Sequence, residues 1–254
     1  MNKFHSESGL RLASFLVPAL AMAAMAPAVH AGVQIDGTRV VYPGQERDVT
    51  VNLRNTGTGE DAARLVQVWV DDGDPETTAQ TTTAPFVVTP PLSRIDGGQS
   101  QSIRLMYTGS APLPQDRESV FYFNMLEVPR KPPAGESYLQ LAVRMRMKVF
   151  YRPENLPGDP LQAADELEWR VVGQGDGYAL ECTNPGVYNV SINDARVQDD
   201  GRTVDENISG SMCPPKGRQV FPLRGPGKPA GTKVVFDVIN DYGVPVVRER
   251  PLSP

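Results

Sequence analysis

The stretch at residues 138–151, Tyr-Leu-Gln-Leu-Ala-Val-Arg-Met-Arg-Met-Lys-Val-Phe-Tyr, constrains the fold more than any other part of the chain. Leu139, Leu141, Val143, Met145, Met147 and Val149 recur at every second position. Gln140, Ala142, Arg144, Arg146 and Lys148 stand between them. A period of two is that of a β-strand, whose successive side chains point to opposite faces. Extended, the run spans roughly 45 Å at about 3.3 Å per residue. A usual strand has only about 5–6 residues. A small β-sandwich has too little core to cover so long a stripe, so part of it is expected to project past its own sandwich.

The N-terminal segment reads as something other than fold. Lys3 and Arg11 precede an apolar run over residues 12–29, which ends in Val29-His30-Ala31. Those are small or apolar residues where a signal peptidase reads, so residues 1–31 are expected to be a secretory signal peptide cut after Ala31. A retained membrane anchor is the competing reading. Pro18, Pro27 and the short, Ala-rich run weigh against it. No later segment is long and apolar enough to span a bilayer. Both histidines, His5 and His30, leave with the signal. The mature chain then lacks the usual general base, the Ser-His-Asp and Cys-His nucleophile arrangements, and nearly all zinc sites. A hydrolase is disfavoured on that ground, and no cofactor or small-molecule substrate is expected. The net charge of −5 argues against nucleic acid as a partner.

The remainder is rich in Pro and Gly, with short alternating runs between turn signals and no sustained helical period. That pattern predicts an all-β protein. In residues 32–152, seven runs stand out, at 32–42, 49–53, 66–70, 86–88, 103–107, 120–128 and 138–151. Their number and spacing fit an immunoglobulin-like sandwich. Residues 153–160 (PENLPGDP) read as a linker. A less regular set of runs follows at 167–172, 178–182, 187–197, 219–223, 233–240 and 244–248, predicting a second, smaller sandwich over 161–254.

Few residues invite chemistry. Cys182 and Cys213 are the chain's two cysteines. In an oxidising compartment they are expected to form one disulfide. Asp71-Asp72-Gly73-Asp74 lacks the ligand spacing of a calcium loop and reads as a solvated turn. Gly173 to Gly177 has no following helix to cradle phosphate and reads as a hairpin turn. Asn189-Val-Ser191 and Asn207-Ile-Ser209 match glycosylation acceptors, a pattern too common to weigh much. Arg39 interrupts an apolar run and Lys148 lies near the end of the long one. As residues they are either ordinary exposed cations or, if they converge, a carboxylate grip. Spacing alone does not decide.

Several blocks together resemble the periplasmic pilus (fimbrial) chaperones. They are Gly37-Thr-Arg-Val-Val-Tyr42, Phe86-Val-Val-Thr-Pro-Pro91, Arg117-Glu-Ser119 with Asn124 and Pro129, Met147-Lys-Val-Phe-Tyr-Arg-Pro153, and Ile239-Asn-Asp-Tyr-Gly243. The resemblance implies two immunoglobulin-like sandwiches in a boomerang arrangement and a periplasmic, non-enzymatic assembly role. It implies pilin subunits as clients, held by donor-strand complementation, and delivery to an outer-membrane usher. It also allows a self-capping homodimer of the free chain. By residue, it implies Leu139, Leu141 and Val143 as the lent segment, and Arg39 and Lys148 as the anchor for the subunit's C-terminal carboxylate. Glu118, Arg152 and Asp241 are implied as an interdomain ion network. Met145, Met147 and Val149 are expected to cover the chaperone's own core. The short loop 130–137 resembles the branch serving rigid, rod-like pili. The cysteine pair is not a general family feature. Lys148 has the opposite parity to Leu139, Leu141 and Val143, so a twist or bulge is expected to turn it into the cleft. A secreted adhesive or carbohydrate-binding β-sandwich is the alternative, weakened by the lack of a convincing aromatic cluster.

Overall fold

The computed structural model describes residues 32–59, 62–129 and 141–253. Among them, nine strands make the first sandwich: β1 (Val33–Ile35), β2 (Arg39–Pro43), β3 (Val49–Asn55), β4 (Arg64–Asp71), β5 (Phe86–Thr89), β6 (Leu92–Ile95), β7 (Ser100–Tyr107), β8 (Ser119–Pro129) and β9 (Val143–Arg152). They form two sheets, ordered β1-β3-β7-β5 and β2-β9-β8-β4-β6. Alternation decides what lies between the sheets. Val51 and Leu53, Ile103 and Leu105 enter from one side. Val66, Val68 and Val70, Phe121, Phe123 and Met125, and Met147, Val149 and Tyr151 enter from the other.

The sequence run at 32–42 is two strands rather than one. The chain breaks at Gly37, whose φ of 88° favours a residue without a Cβ. β1 pairs with β3 in one sheet, and β2 crosses to pair with β9 in the other. This crossing brings Arg39 to the first position of β2. Leu92–Ile95 is a further strand with no counterpart among the sequence runs. Four residues with two apolar side chains give too little pattern to read.

The long strand is shorter than its apolar stripe. β9 begins at Val143, and Leu141 and Ala142 lie outside it. Val143 pairs with Glu127, the last residue of β8 to face β9. Val128 and Pro129 continue in β8 paired with β4. Among the described residues, Leu141 and Ala142 before Val143 have no ladder to hold them extended, and period two in side chains does not supply one. Leu139 and the 130–137 loop lie outside the described residues.

The second sandwich consists of β10 (Glu168–Gln174), β11 (Gly177–Asn184), β12 (Val190–Asp199), β13 (Arg202–Asn207), β14 (Ser211–Cys213), β15 (Gly217–Pro222), β16 (Lys233–Ile239) and β17 (Pro245–Ser253). A short 3-10 helix, Ala163–Glu166, precedes them. β13, β12, β16 and β17 form one side, with β14 also on β12, and β10, β11 and β15 form the other. A brief parallel pairing of Trp169 with Leu252 and Arg170 with Ser253 joins the two sides. Trp169, Leu180, Phe221, Val197 and Phe236 fill the core between them. Cys182 of β11 and Cys213 of β14 are disulfide-bonded and fully buried. The bond ties strands from opposite sides of the sandwich, which no ladder does at that edge.

Candidate functional site

β2 and β9 run parallel and place Arg39 directly across from Lys148. The two cations that sequence spacing could not bring together are therefore register partners. β8 and β9 pair without a shift from Ser119↔Tyr151 to Glu127↔Val143, so no bulge turns Lys148. The parity problem has another solution. Both faces of β9 are occupied: Met147, Val149 and Tyr151 face the first core, while Lys148, Phe150 and Arg152 face the second sandwich. The cleft lies on the face opposite the apolar stripe.

A cavity of about 230 Å³ lies between the sandwiches, lined among others by Arg39, Phe150, Arg152, Leu161, Ser191 and Ile239. Arg39 Nη1 donates to the Ile239 carbonyl at 2.7 Å, and its guanidinium lies 6.0 Å from the Phe150 ring. Arg39 Nε is buried without a hydrogen-bond partner among the described residues. Burial lowers the Arg39 pKa, against a raising influence from Asp241. Burial, and then the charge of Arg39, bring Lys148 down to about 8. Two cations held near each other with an unused buried donor form a site short of negative charge. A carboxylate fits it in both charge and donor geometry.

Beside this pair runs an unusual strand edge. β2 covers β9 only from Lys148 to Arg152. From Val143 to Met147, β9 has β8 on one side and no ladder partner on the other among the described residues. Val143 is 50 % exposed and Leu141 65 %. Met145, expected in the core, is 38 % exposed, whereas Met147 is 6 % and Val149 0 %. The core thus ends one alternation earlier than the sequence suggested. Met145 and Met147 border an open trough with Gln34, Ile35, Gly37 and Thr38, because the chain between β1 and β2 turns away there.

The opposite face braces that open-edged segment. Asp71 is fully buried, which corrects its reading as a solvated turn. Its carboxylate accepts from Arg146 Nη2 at 2.5 Å, Asn124 Nδ2 at 2.7 Å and the Gly73 N–H at 2.8 Å. Burial pushes the Asp71 pKa up, but these bonds outweigh it and hold the group below the usual carboxylate range. Arg146 stacks 3.6 Å from the Tyr122 ring centre, and Arg144 lies 4.9 Å from that of Trp69. Arg144 also donates to Asn124 Oδ1 at 2.8 Å.

Arg152 joins the sandwiches. Its Nη2 lies 2.8 Å from Glu118 Oε1 and its Nη1 2.8 Å from Asp241 Oδ2. Burial raises the Glu118 pKa despite Arg152 and Asn189. Glu118 Oε2 accepts from both the Asn189 N–H and the Asn189 side chain at 3.0 Å. Asn189 and Ser191 are therefore site-lining residues, although as a glycosylation acceptor pattern they carried no weight. β12 alternates apolar and polar residues along its length, so nothing in the sequence set these two polar side chains apart.

Comparison with known proteins settles the family. Residues 32–157 match the family described as pili and flagellar-assembly chaperone, PapD N-terminal domain, and residues 162–249 match its pili assembly chaperone C-terminal domain. The chain belongs to the pilus assembly chaperones. The chaperone is 43% identical over 218 residues to the probable fimbrial chaperone YadV of Escherichia coli K12, covering 84% of this chain and 87% of that one. It is 38% identical over 242 residues to the chaperone protein FimB/FhaD of Bordetella pertussis, covering 92% and 93%. Among solved structures, it matches the YadV chaperone with a TM-score of 0.73 at 40% identity, covering 87% of this chain and 99% of that one. It matches the Pseudomonas aeruginosa CupB2 chaperone with a TM-score of 0.71 at 32% identity, covering 87% and 100%. As in the rest of this family, its role is to support assembly by binding, not to catalyse a reaction.

Proposed function

We propose that this chaperone captures pilin subunits in the periplasm, completes their sandwich with β9, and passes them to an outer-membrane usher. The mature chain begins after Ala31, with 32–152 and 161–254 as its domains and 153–160 as the linker. The observation that carries the reading is the open edge of β9 at Val143–Met147, with exposed apolar side chains, ending at the Arg39–Lys148 pair. A client strand that pairs there gains ladder hydrogen bonds from the free edge and pockets for alternate side chains. Held by its terminal carboxylate at Lys148 and laid back along β9 toward Val143, it runs parallel to β9 and in line with β2. Leu141 and Val143, with Leu139 before them and Met145 after, then fill the client's groove. Arg152, Glu118 and Asp241 fix the angle between the sandwiches. In the free chain, two copies cap each other's open edge.

Capture from periplasmic extract tests the reading. Wild-type protein is expected to bring down a small β-rich subunit in equal amount, and Arg39→Ala or Lys148→Ala to lose it. Undiminished capture by both variants would refute the anchor.

A further inference from the structure

The inference concerns how the anchor is held, and it rests on the reading of Arg39 and Lys148 as that anchor. Val190 and Ile192 of β12 both point into the second core. Ser191 between them points the other way, toward the first sandwich. It is only 5 % exposed there, and its Oγ lies 3.1 Å from Lys148 Nζ. An ammonium has donors and no acceptor, so the hydroxyl accepts. Two residues earlier, Asn189 holds Glu118. From the neighbouring β16, the Ile239 carbonyl holds Arg39. Each cation of the anchor is thus borne by the first sandwich and oriented by an oxygen of the second.

We infer that Ser191 is a positioning residue for client binding: its hydroxyl holds the Lys148 ammonium in the cleft and leaves the remaining N–H donors for a chain-terminal carboxylate. The surroundings make one fixed acceptor matter. Arg39 faces Lys148 from β2, and Tyr122 is its register neighbour on β8. Arg146 and Phe150 flank it on its own strand face. Of the nearby acids, Asp71 is engaged by Arg146, and Glu118 and Asp241 by Arg152. No carboxylate is hydrogen-bonded to Lys148 among the described residues, while burial, and then the charge of Arg39, lower its pKa to about 8. The neutral hydroxyl favours the charged form and fixes its direction. Because Ser191 and Lys148 belong to different sandwiches, the anchor is complete only while the sandwiches keep their mutual seat. Asn189, on the same strand end, links that seat to the Arg152 network through Glu118.

Ser191→Thr and Ser191→Val test this, since they match in shape and differ by a hydroxyl against a methyl. The probe is a fluorescent peptide of alternating Val and Thr with a free terminal carboxylate, compared with its terminal amide. Lys148 protonation is read independently from the pH profile of its labelling by an amine reagent, located by mass spectrometry. Ser191→Thr is expected to bind the carboxylate peptide as the wild type does. Ser191→Val is expected to bind it about tenfold more weakly, a loss in line with one hydrogen bond to a charged donor. The labelling midpoint of Lys148 is expected to fall in Ser191→Val and not in Ser191→Thr. Amide-peptide binding should be equal in all three proteins, which separates loss of the anchor from loss of the fold. Equal carboxylate binding by the Thr and Val variants, or an unmoved labelling midpoint, overturns the role of Ser191 while leaving the anchor standing. If Lys148→Ala binds the carboxylate peptide no worse than the wild type, the anchor reading itself fails.

Discussion

Replacing Val143 by Ser and Met145 by Gln strips apolar surface from the open half of β9 without entering the core. In the free chain the two residues are 50 % and 38 % exposed, so a client can bury at most those fractions. Complete burial of such a side chain is worth about 1.5–3 kcal/mol. Scaled by exposure, the pair contributes roughly 1.3–2.6 kcal/mol to client binding. That corresponds to a weakening of about 10- to 100-fold in Kd. Titration calorimetry with a purified subunit measures the loss, and thermal unfolding of the free chaperone serves as the control. Surface substitutions of this kind shift stability by less than about 0.5 kcal/mol. Met147→Gln is the counter-case: one alternation further along the same face, it puts an amide at a position only 6 % exposed and should lower the melting temperature of the free protein. An unchanged Kd in the double variant, or a double variant as destabilised as Met147→Gln, would show that the client does not use this stripe.

Three further outcomes are expected. Client affinity falls as pH rises. Lys148 is mostly charged below its pKa of about 8, and a bound carboxylate raises that pKa. The stabilisation is therefore full below pH 8 and is lost above it, about tenfold between pH 7 and pH 9; Lys148→Arg should remove this slope, and a slope that survives the substitution argues against Lys148 as its source. Arg152→Gln leaves Glu118 and Asp241 without their shared cation, at a cost on the order of 3–5 kcal/mol, seen as a changed X-ray scattering profile and a lower periplasmic level. Replacing Cys182 and Cys213 by Ala reopens a separation of 31 residues. It should lower second-sandwich stability by roughly 3–4 kcal/mol, which calorimetry resolves as an earlier transition, and a coincident melt with the wild type would show the bond to be dispensable.

The features legible in the sequence were those carried by side-chain pattern. The alternation through Val143, Met147 and Val149 announced a strand with more apolar surface than its sandwich could use. What pattern could not give was backbone pairing. Where β9 begins depends on where β8 stops facing it, and where its edge opens depends on β2 starting at Arg39. Met145 shows the result, since its parity assigns it to the core and the early end of that core leaves it out. Lys148 posed a parity problem only because one face of the strand was assumed to serve every purpose. Asp71 was misread because a turn-forming residue can also be the buried counter-ion of an arginine five strands later in sequence order. Ser191 and Asn189 were invisible in a functional sense, because a tripeptide pattern carries no information about which strand of another sandwich lies against it.

β2 begins at Arg39 and from there fills the very lane along β9 that an added strand would need in order to slide onward. It works as a doorstop. An internal segment of a polypeptide, with more chain continuing after it, cannot lie along Val143–Met147 in parallel without running into β2. Only a strand that finishes where β2 starts can be seated. On the proposed reading of Arg39 and Lys148 as an anchor, the end of a client chain is therefore selected by geometry as well as by charge.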